Sequence, residues 1–278
     1  MHFLISGGSG FIGRRLCAEL LEQDHAVTVL TRSPAAAARV LPAGVRTVAE
    51  TAQVSAADAV VNLAGASIVG GRWSAARKQV LLQSRLQTTQ RLLQWMDAAA
   101  RRPAVLVSAS ATGYYGPHGD APLGEDAPAG GDFGAALCQR WEAEALKAEA
   151  LGVRVCLLRI GIVLGAGGGA LASMLPAFRL GLGGPMGDGR QWMSWVHLRD
   201  LTALIRWLAQ NPQARGAYNG TAPQPVRNRD FARTLARVLR RPALLRTPAL
   251  ALKALFGEMA DILLTGQNAP PRRALAEG

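Results

Sequence analysis

Cysteine is scarce in this 278-residue chain. The three present, Cys17, Cys138 and Cys156, cannot all pair and share no metal-ligand spacing, so free thiols are expected. Four scattered histidines, His2, His25, His118 and His197, predict no zinc site. Lysine is also rare: Lys78, Lys147 and Lys253 are the only three among 31 basic residues. The net charge of +12 therefore rests on arginines spread over the whole length, with no nucleic-acid motif beside them. Their densest run, Arg227 to Arg246, carries Phe231, Leu235 and Leu239 at four-residue spacing, as on an amphipathic helix with a solvated basic face. The charge reads as a general attraction for anionic ligands, not as specific nucleic-acid binding.

No leader is expected either. Met1-His2-Phe3-Leu4-Ile5-Ser6 has no basic start and runs straight into glycines, which makes a cytoplasmic location the default expectation. The uncharged stretch from Ile160 to Phe178 holds five glycines and Pro176. That predicts a strand, a glycine loop and a helix, and no membrane partner.

What is present is a globular composition, 49% hydrophobic and 18% charged. Short apolar runs at Phe3 to Ser6, Ala26 to Thr31, Val45 to Val48, Ala59 to Leu63, Val105 to Val107 and Val153 to Leu158 read as strands. Helical spacing follows the first glycine turn and recurs over Ser74 to Ala100 and Phe133 to Leu151. The alternation predicts an α/β fold, a doubly wound parallel sheet of the Rossmann type. Past Gly165 it loosens, leaving helices near Leu171, Arg199, Asn228 and Pro248 and a short strand at Trp195 to His197. We expect residues 1–165 to form the dinucleotide-binding core. Residues 166–278 then form a smaller mixed substrate lobe, with some elements returning to the core.

The turn Gly7-Gly8-Ser9-Gly10-Phe11-Ile12-Gly13 sits between the first strand and the first helix. Gly7 allows a sharp turn, Gly10 lets a pyrophosphate approach, and Gly13 lets helix and strand pack closely. The helix start then offers free N–H groups to phosphate. At the end of the second strand, where NAD sites generally carry Asp or Glu, stand Thr31-Arg32-Ser33. An arginine flanked by two hydroxyls favours a 2′-phosphate, hence NADP over NAD.

With these residues placed, further motifs follow in order: Asn62-Leu63-Ala64-Gly65, Arg72-Trp73, Ser84-Arg85, Ser108-Ala109-Ser110-Ala111-Thr112-Gly113-Tyr114-Tyr115-Gly116, Trp141-Glu142 and Leu158-Arg159-Ile160-Gly161. Trp195-Val196-His197 and Gly266-Gln267 come later. On these the chain resembles the extended short-chain dehydrogenase/reductases, and within them an atypical subgroup of "epimerase family" proteins with its own C-terminal domain. The resemblance implies that Leu63, Ala64, Gly65, Arg85, Ser108 and Ile160 contact the cofactor alongside Gly7, Gly10, Phe11, Ile12, Gly13, Thr31, Arg32 and Ser33. It implies a monomer or homodimer, and relatives that usually continue past Gly278 with an aromatic-containing stretch.

The usual catalytic pair of that group is absent. No Tyr-x-x-x-Lys occurs, and its places are taken by Leu137 and Trp141. Ser110 matches the serine that hydrogen-bonds a substrate carbonyl or hydroxyl, and Tyr114 is a candidate replacement acid. Cys138 as nucleophile and Glu142 as base are weaker candidates. Arg159, Gln191, Trp192, Trp195 and His197 are candidate pocket residues. Two readings result. One is an NADP(H)-dependent oxidoreductase or epimerase-like protein acting on a nucleotide-sugar or other small hydroxyl or carbonyl compound. The other is a non-catalytic NADP(H)-binding sensor.

Overall fold

A computed structural model describes residues 1–69, 71–243 and 245–278. Six strands alternate with helices through the first 160 residues. In order these are β1 (His2–Ser6), α1 (Phe11–Leu21), β2 (Ala26–Leu30), α2 (Pro34–Ala38), β3 (Arg46–Val48), β4 (Ala59–Asn62), α3 (Ala75–Ala98), β5 (Val105–Ala111), α4 (Phe133–Leu146) and β6 (Arg154–Ile160). There follow β7 (Ile162–Leu164), α5 (Gly169–Arg179), β8 (Trp192–Met193), β9 (Trp195–His197), α6 (Leu198–Gln210) and β10 (Gly216–Gly220). The chain closes with β11 (Val226–Arg227), α7 (Asn228–Leu239), α8 (Ala249–Phe256), α9 (Ala260–Leu264) and α10 (Arg272–Ala276).

Seven strands form one parallel sheet in the order β10-β6-β5-β4-β1-β2-β3. Its strands are apolar on both faces because helices cover both. Phe3, Ile5, Val61, Val107 and Leu158 meet Leu16 and Leu20 of α1 and Leu201, Ile205 and Leu208 of α6. On the other face Leu4, Val60, Leu106 and Leu157 meet Leu92, Trp95 and Met96 of α3 and Ala145 of α4. This is the expected doubly wound fold. Small two-stranded sheets, β11-β8 and β7-β9, lie outside it.

One strand was not expected. Gly216-Ala217-Tyr218-Asn219-Gly220 carries no apolar run to announce a strand, yet it pairs with β6 as the seventh strand. The chain's last residues hold it in place. Arg273 donates to the Ala217 carbonyl at 2.9 Å, and the Tyr218 hydroxyl donates to Glu277 at 2.7 Å. Among the described residues no helix is long and apolar enough to cross a membrane.

The ends of the helices differ in a way that matters for the site. Ser74 caps α3 by accepting from the Arg77 N–H, and Asp132 caps α4 by accepting from the Ala135 N–H at 2.7 Å. At α1 the cap position is Gly10, with no side chain to satisfy the first amides.

Candidate functional site

The glycine turn is built for close approach. Gly7 has φ +78°, and a Cβ there would meet the Leu63 backbone carbon at 2.7 Å. The turn thus lies directly against the end of β4. A Cβ on Gly13 would meet the Gly7 carbonyl oxygen and the Gly8 Cα, so α1 can rise beside β1 only without it. At Gly10 the nearest atom to an added Cβ, the Gly7 oxygen, is 3.2 Å away. Gly10 is therefore open on the side where a phosphate would come.

Above the turn opens a cleft of about 620 Å³. Of the expected site residues, Gly7, Gly10, Thr31, Arg32, Leu63, Ala64 and Gly65 line it. The others do not. Ile12 packs into the core, Gly13 is buried behind the turn, and Ser33 stands at the start of α2. Phe11 turns away from the cleft and lies under the glycine loop before α5. Added Cβ atoms on Gly165, Gly168 and Gly169 would meet its ring at 3.1, 2.5 and 2.7 Å. Ile160 is half-buried at the end of β6 and packs against the core.

Sequence reasoning missed one whole wall. Val80, Gln83, Ser84, Gln87, Thr88 and Arg91 of α3 face the cleft. Their spacing of three and four residues is the available signal, a polar stripe beside the buried stripe of Leu81, Arg85, Leu92 and Met96. Asn62 ties this wall to the sheet: it accepts from the Ser6 hydroxyl at 2.6 Å and donates to Thr89 at 2.9 Å. Among the residues lining the cleft the only charged ones are Arg32 and Arg91; there is no carboxylate.

Arg85 lies behind the cleft and not in it. Its guanidinium backs onto Gly65, where a Cβ would come within 3.0 Å of the Arg85 Cζ. It donates to the carbonyls of Leu81 and Ala66 and stacks over the Trp141 ring at 4.9 Å. Burial lowers its pKa. The residue in the place of the missing lysine, Trp141, is thus held by a cation from another helix. Both the Trp141 Nε1 and the Ser108 Oγ are buried without a hydrogen-bond partner among the described residues.

Beside α4, which carries Leu137 and Trp141, a buried polar chain crosses three strands in register: Ser110, Arg159 and Asn219 are neighbours on β5, β6 and β10. The Ser110 hydroxyl donates to Glu142 Oε1 at 2.6 Å. Arg159 donates to both Glu142 oxygens at 2.9 Å, to the Tyr115 hydroxyl at 3.1 Å and to the Glu125 carbonyl at 2.9 Å. Tyr115 in turn donates to Asn219 Oδ1 at 2.6 Å. Burial opposes the Arg159 charge, but the hydrogen bonds and charge of Glu142 outweigh it and raise its pKa. Burial raises the pKa of Tyr115. Tyr114 lies against the same cation, its ring centroid 3.5 Å from the Arg159 guanidinium carbon.

The remaining candidates are dispersed. Gln191 donates to the Met186 and Leu263 carbonyls, Trp192 to Asp120, and Trp195 to the Gln224 carbonyl, while His197 caps α6. A second cavity of about 140 Å³ lies among Phe178, Gly183, Gly184, Phe231 and Ala232, and none of these candidates lines it. The Cys138 thiol is buried and pushed up to about 11 by that burial, so it is no nucleophile as it stands.

The comparisons agree with this geometry. Residues 3–219 match the NAD dependent epimerase/dehydratase family, and residues 247–278 match a domain of unknown function, DUF1731. The chloroplastic Epimerase family protein SDR39U1 homolog of Arabidopsis thaliana is 45% identical over 99% of this chain and 81% of its own. The Bos taurus protein SDR39U1 is 40% identical over 100% of this chain and 94% of its own. The crystal structure of human SDR39U1 (isoform 2) with NADPH superposes with a TM-score of 0.89 at 37% identity, covering 99% of this chain and 93% of that one. A Thermus thermophilus UDP-glucose 4-epimerase shares the fold, at a TM-score of 0.81 and 18% identity over 100% of this chain and 93% of its own. The chain belongs to the NAD dependent epimerase/dehydratase family, among the epimerase family proteins related to SDR39U1.

Proposed function

We propose that the chain binds NADP(H) along the cleft. With it, the chain interconverts hydroxyl and carbonyl groups on a nucleotide-sugar or another small molecule, as an oxidoreductase or epimerase-like isomerase without the tyrosine–lysine pair. The observation that carries this is the cleft itself. It opens over the uncapped start of α1, passes the bare Gly7 and Gly10, and presents Arg32 and Arg91 with no carboxylate among its lining residues. These residues fit a dinucleotide with an added phosphate: glycines for the pyrophosphate, arginines for the 2′-phosphate. The NADPH bound by the 37%-identical human relative supports the same reading. The cofactor supplies the hydride chemistry; the protein supplies orientation and electrostatics.

A second reading, an NADP(H)-binding sensor without turnover, is favoured by one observation. The Ser110 proton is committed to Glu142, which also accepts from Nε and Nη2 of Arg159, so Ser110 has no hydrogen left to give a substrate carbonyl. Titration with NADPH separates the two when followed by a panel of ketones with NADPH and alcohols with NADP+ at 340 nm, and of nucleotide-sugars assayed for the epimerised product. Turnover that Ser110→Ala reduces supports the enzyme. A tight NADPH complex inert to the whole panel supports the sensor, and no NADPH binding at all overturns both.

A further inference from the structure

Arg91 stands out once the cleft is described, because its chemistry is not exhausted by its visible partner. It sits on the cleft wall of α3, and its Nη2 reaches Glu50 Oε2 at 2.8 Å. Glu50 follows β3 and starts the short turn Thr51–Gln53, where its side chain accepts from the Gln53 N–H and Gln53 reaches back to the Glu50 N–H. Both groups of the ion pair are largely exposed, so the pair adds little to stability. The Nε and Nη1 of Arg91 have no partner among the described residues. Across the cleft, Arg32 at the end of β2 is exposed and has no ion pair among the described residues either.

We propose that Arg91 is a second determinant of NADP over NAD. It shares the 2′-phosphate with Arg32 while holding Glu50 away from the cleft. A guanidinium has five N–H donors in a rigid fork, so one edge can keep Glu50 while another meets phosphate. Glu50 is the acidic residue at this end of the cleft, and it comes from the third strand, not the second. Unrestrained, its charge would oppose a 2′-phosphate and accept from a 2′-hydroxyl. The preference is thus set by a pair, a cation that attracts the phosphate and neutralises the one acid able to repel it.

This rests on the NADP(H) reading, and the experiment tells the two apart. Dissociation constants for NADPH and NADH are measured by fluorescence titration for the wild type, Arg91→Ala, Arg91→Lys, Glu50→Gln and the Arg91→Ala/Glu50→Gln double variant. Expected is a loss of NADPH affinity of about tenfold in Arg91→Ala with NADH changed less than about twofold, as for a lost phosphate contact. Arg91→Lys recovers part of the loss, and the double variant recovers part through removal of the repulsion. If Arg91→Ala weakens both cofactors equally, or neither, the proposal is overturned while the NADP(H) reading stands. If the wild type itself shows no preference for NADPH, the NADP reading fails first.

Discussion

Arg159 meets Glu142 through two hydrogen bonds of 2.9 Å, Nε to Oε1 and Nη2 to Oε2, with their side chains 5% and 7% exposed. Removing one partner of such a pair leaves the other buried and uncompensated. Glu142→Gln is therefore expected to destabilise the fold by about 3 kcal/mol, read as a lower urea midpoint. Replacing both residues by leucine or methionine should cost less than the single change. A Glu142→Gln protein as stable as the wild type would show that the pair is not holding β6 to α4.

The two inner glycines of the turn should separate stability from binding. Gly13→Ala drives a methyl into the Gly7 carbonyl and Gly8 and is expected to cost about 1–3 kcal/mol in thermal unfolding. At Gly10→Ala the one close contact is the Gly7 oxygen at 3.2 Å, which must yield a few tenths of an ångström, so stability should fall by about 1 kcal/mol, less than for Gly13→Ala, while NADPH binding weakens severalfold. Equal effects of both on stability would refute the assignment of the open side of Gly10 to phosphate.

Buried thiols set an alkaline limit. Burial pushes Cys17 up to about 12, and Cys138 and Cys156 up to about 11, from an ordinary value of 9.0. The unfolded chain thus loses these protons first. The stability they contribute is whole below about pH 9 and drains away between about pH 9 and 12. Denaturation midpoints across that range should fall for the wild type and fall less steeply for a Cys17→Ala/Cys138→Ala/Cys156→Ala variant. At neutral pH a thiol reagent should modify none of the three until the protein is unfolded.

Phe11→Ala removes the ring on which three glycines rest. A loss of about 2 kcal/mol is expected for this half-buried ring, together with faster proteolysis within residues 165–169. Unchanged proteolysis would mean that the loop is held by something other than Phe11.

How much of this was legible beforehand follows from the range of the interactions. The strand–turn–helix at Gly7 to Gly13 is local, and its glycines announce it. The absence of a Tyr-x-x-x-Lys pair is equally a matter of counting. The buried polar cluster was not readable, because Ser110, Arg159 and Asn219 lie far apart in the chain and meet through sheet register, with Glu142 reaching them from α4. The contacts of Arg85 with Trp141 and with the Ala66 carbonyl behind Gly65 are equally long-range and have no local sequence signal. The α3 wall was missed because attention to its apolar stripe hid the polar one beside it. β10 was missed because two glycines and an asparagine in five residues look like a turn; the neighbouring strand and helix override that preference.

The late position of β10 has a consequence for how the chain is made. During synthesis β6 emerges some fifty residues before the strand that pairs with its outer edge, a span on the order of seconds at ordinary translation rates. Until then β6 presents unpaired backbone to solvent, the kind of edge that recruits a neighbouring chain. A product cut off near residue 165 would keep the glycine turn and most of the sheet, but would lack both β10 and the α6 helix that covers one face, and would be at risk of aggregation.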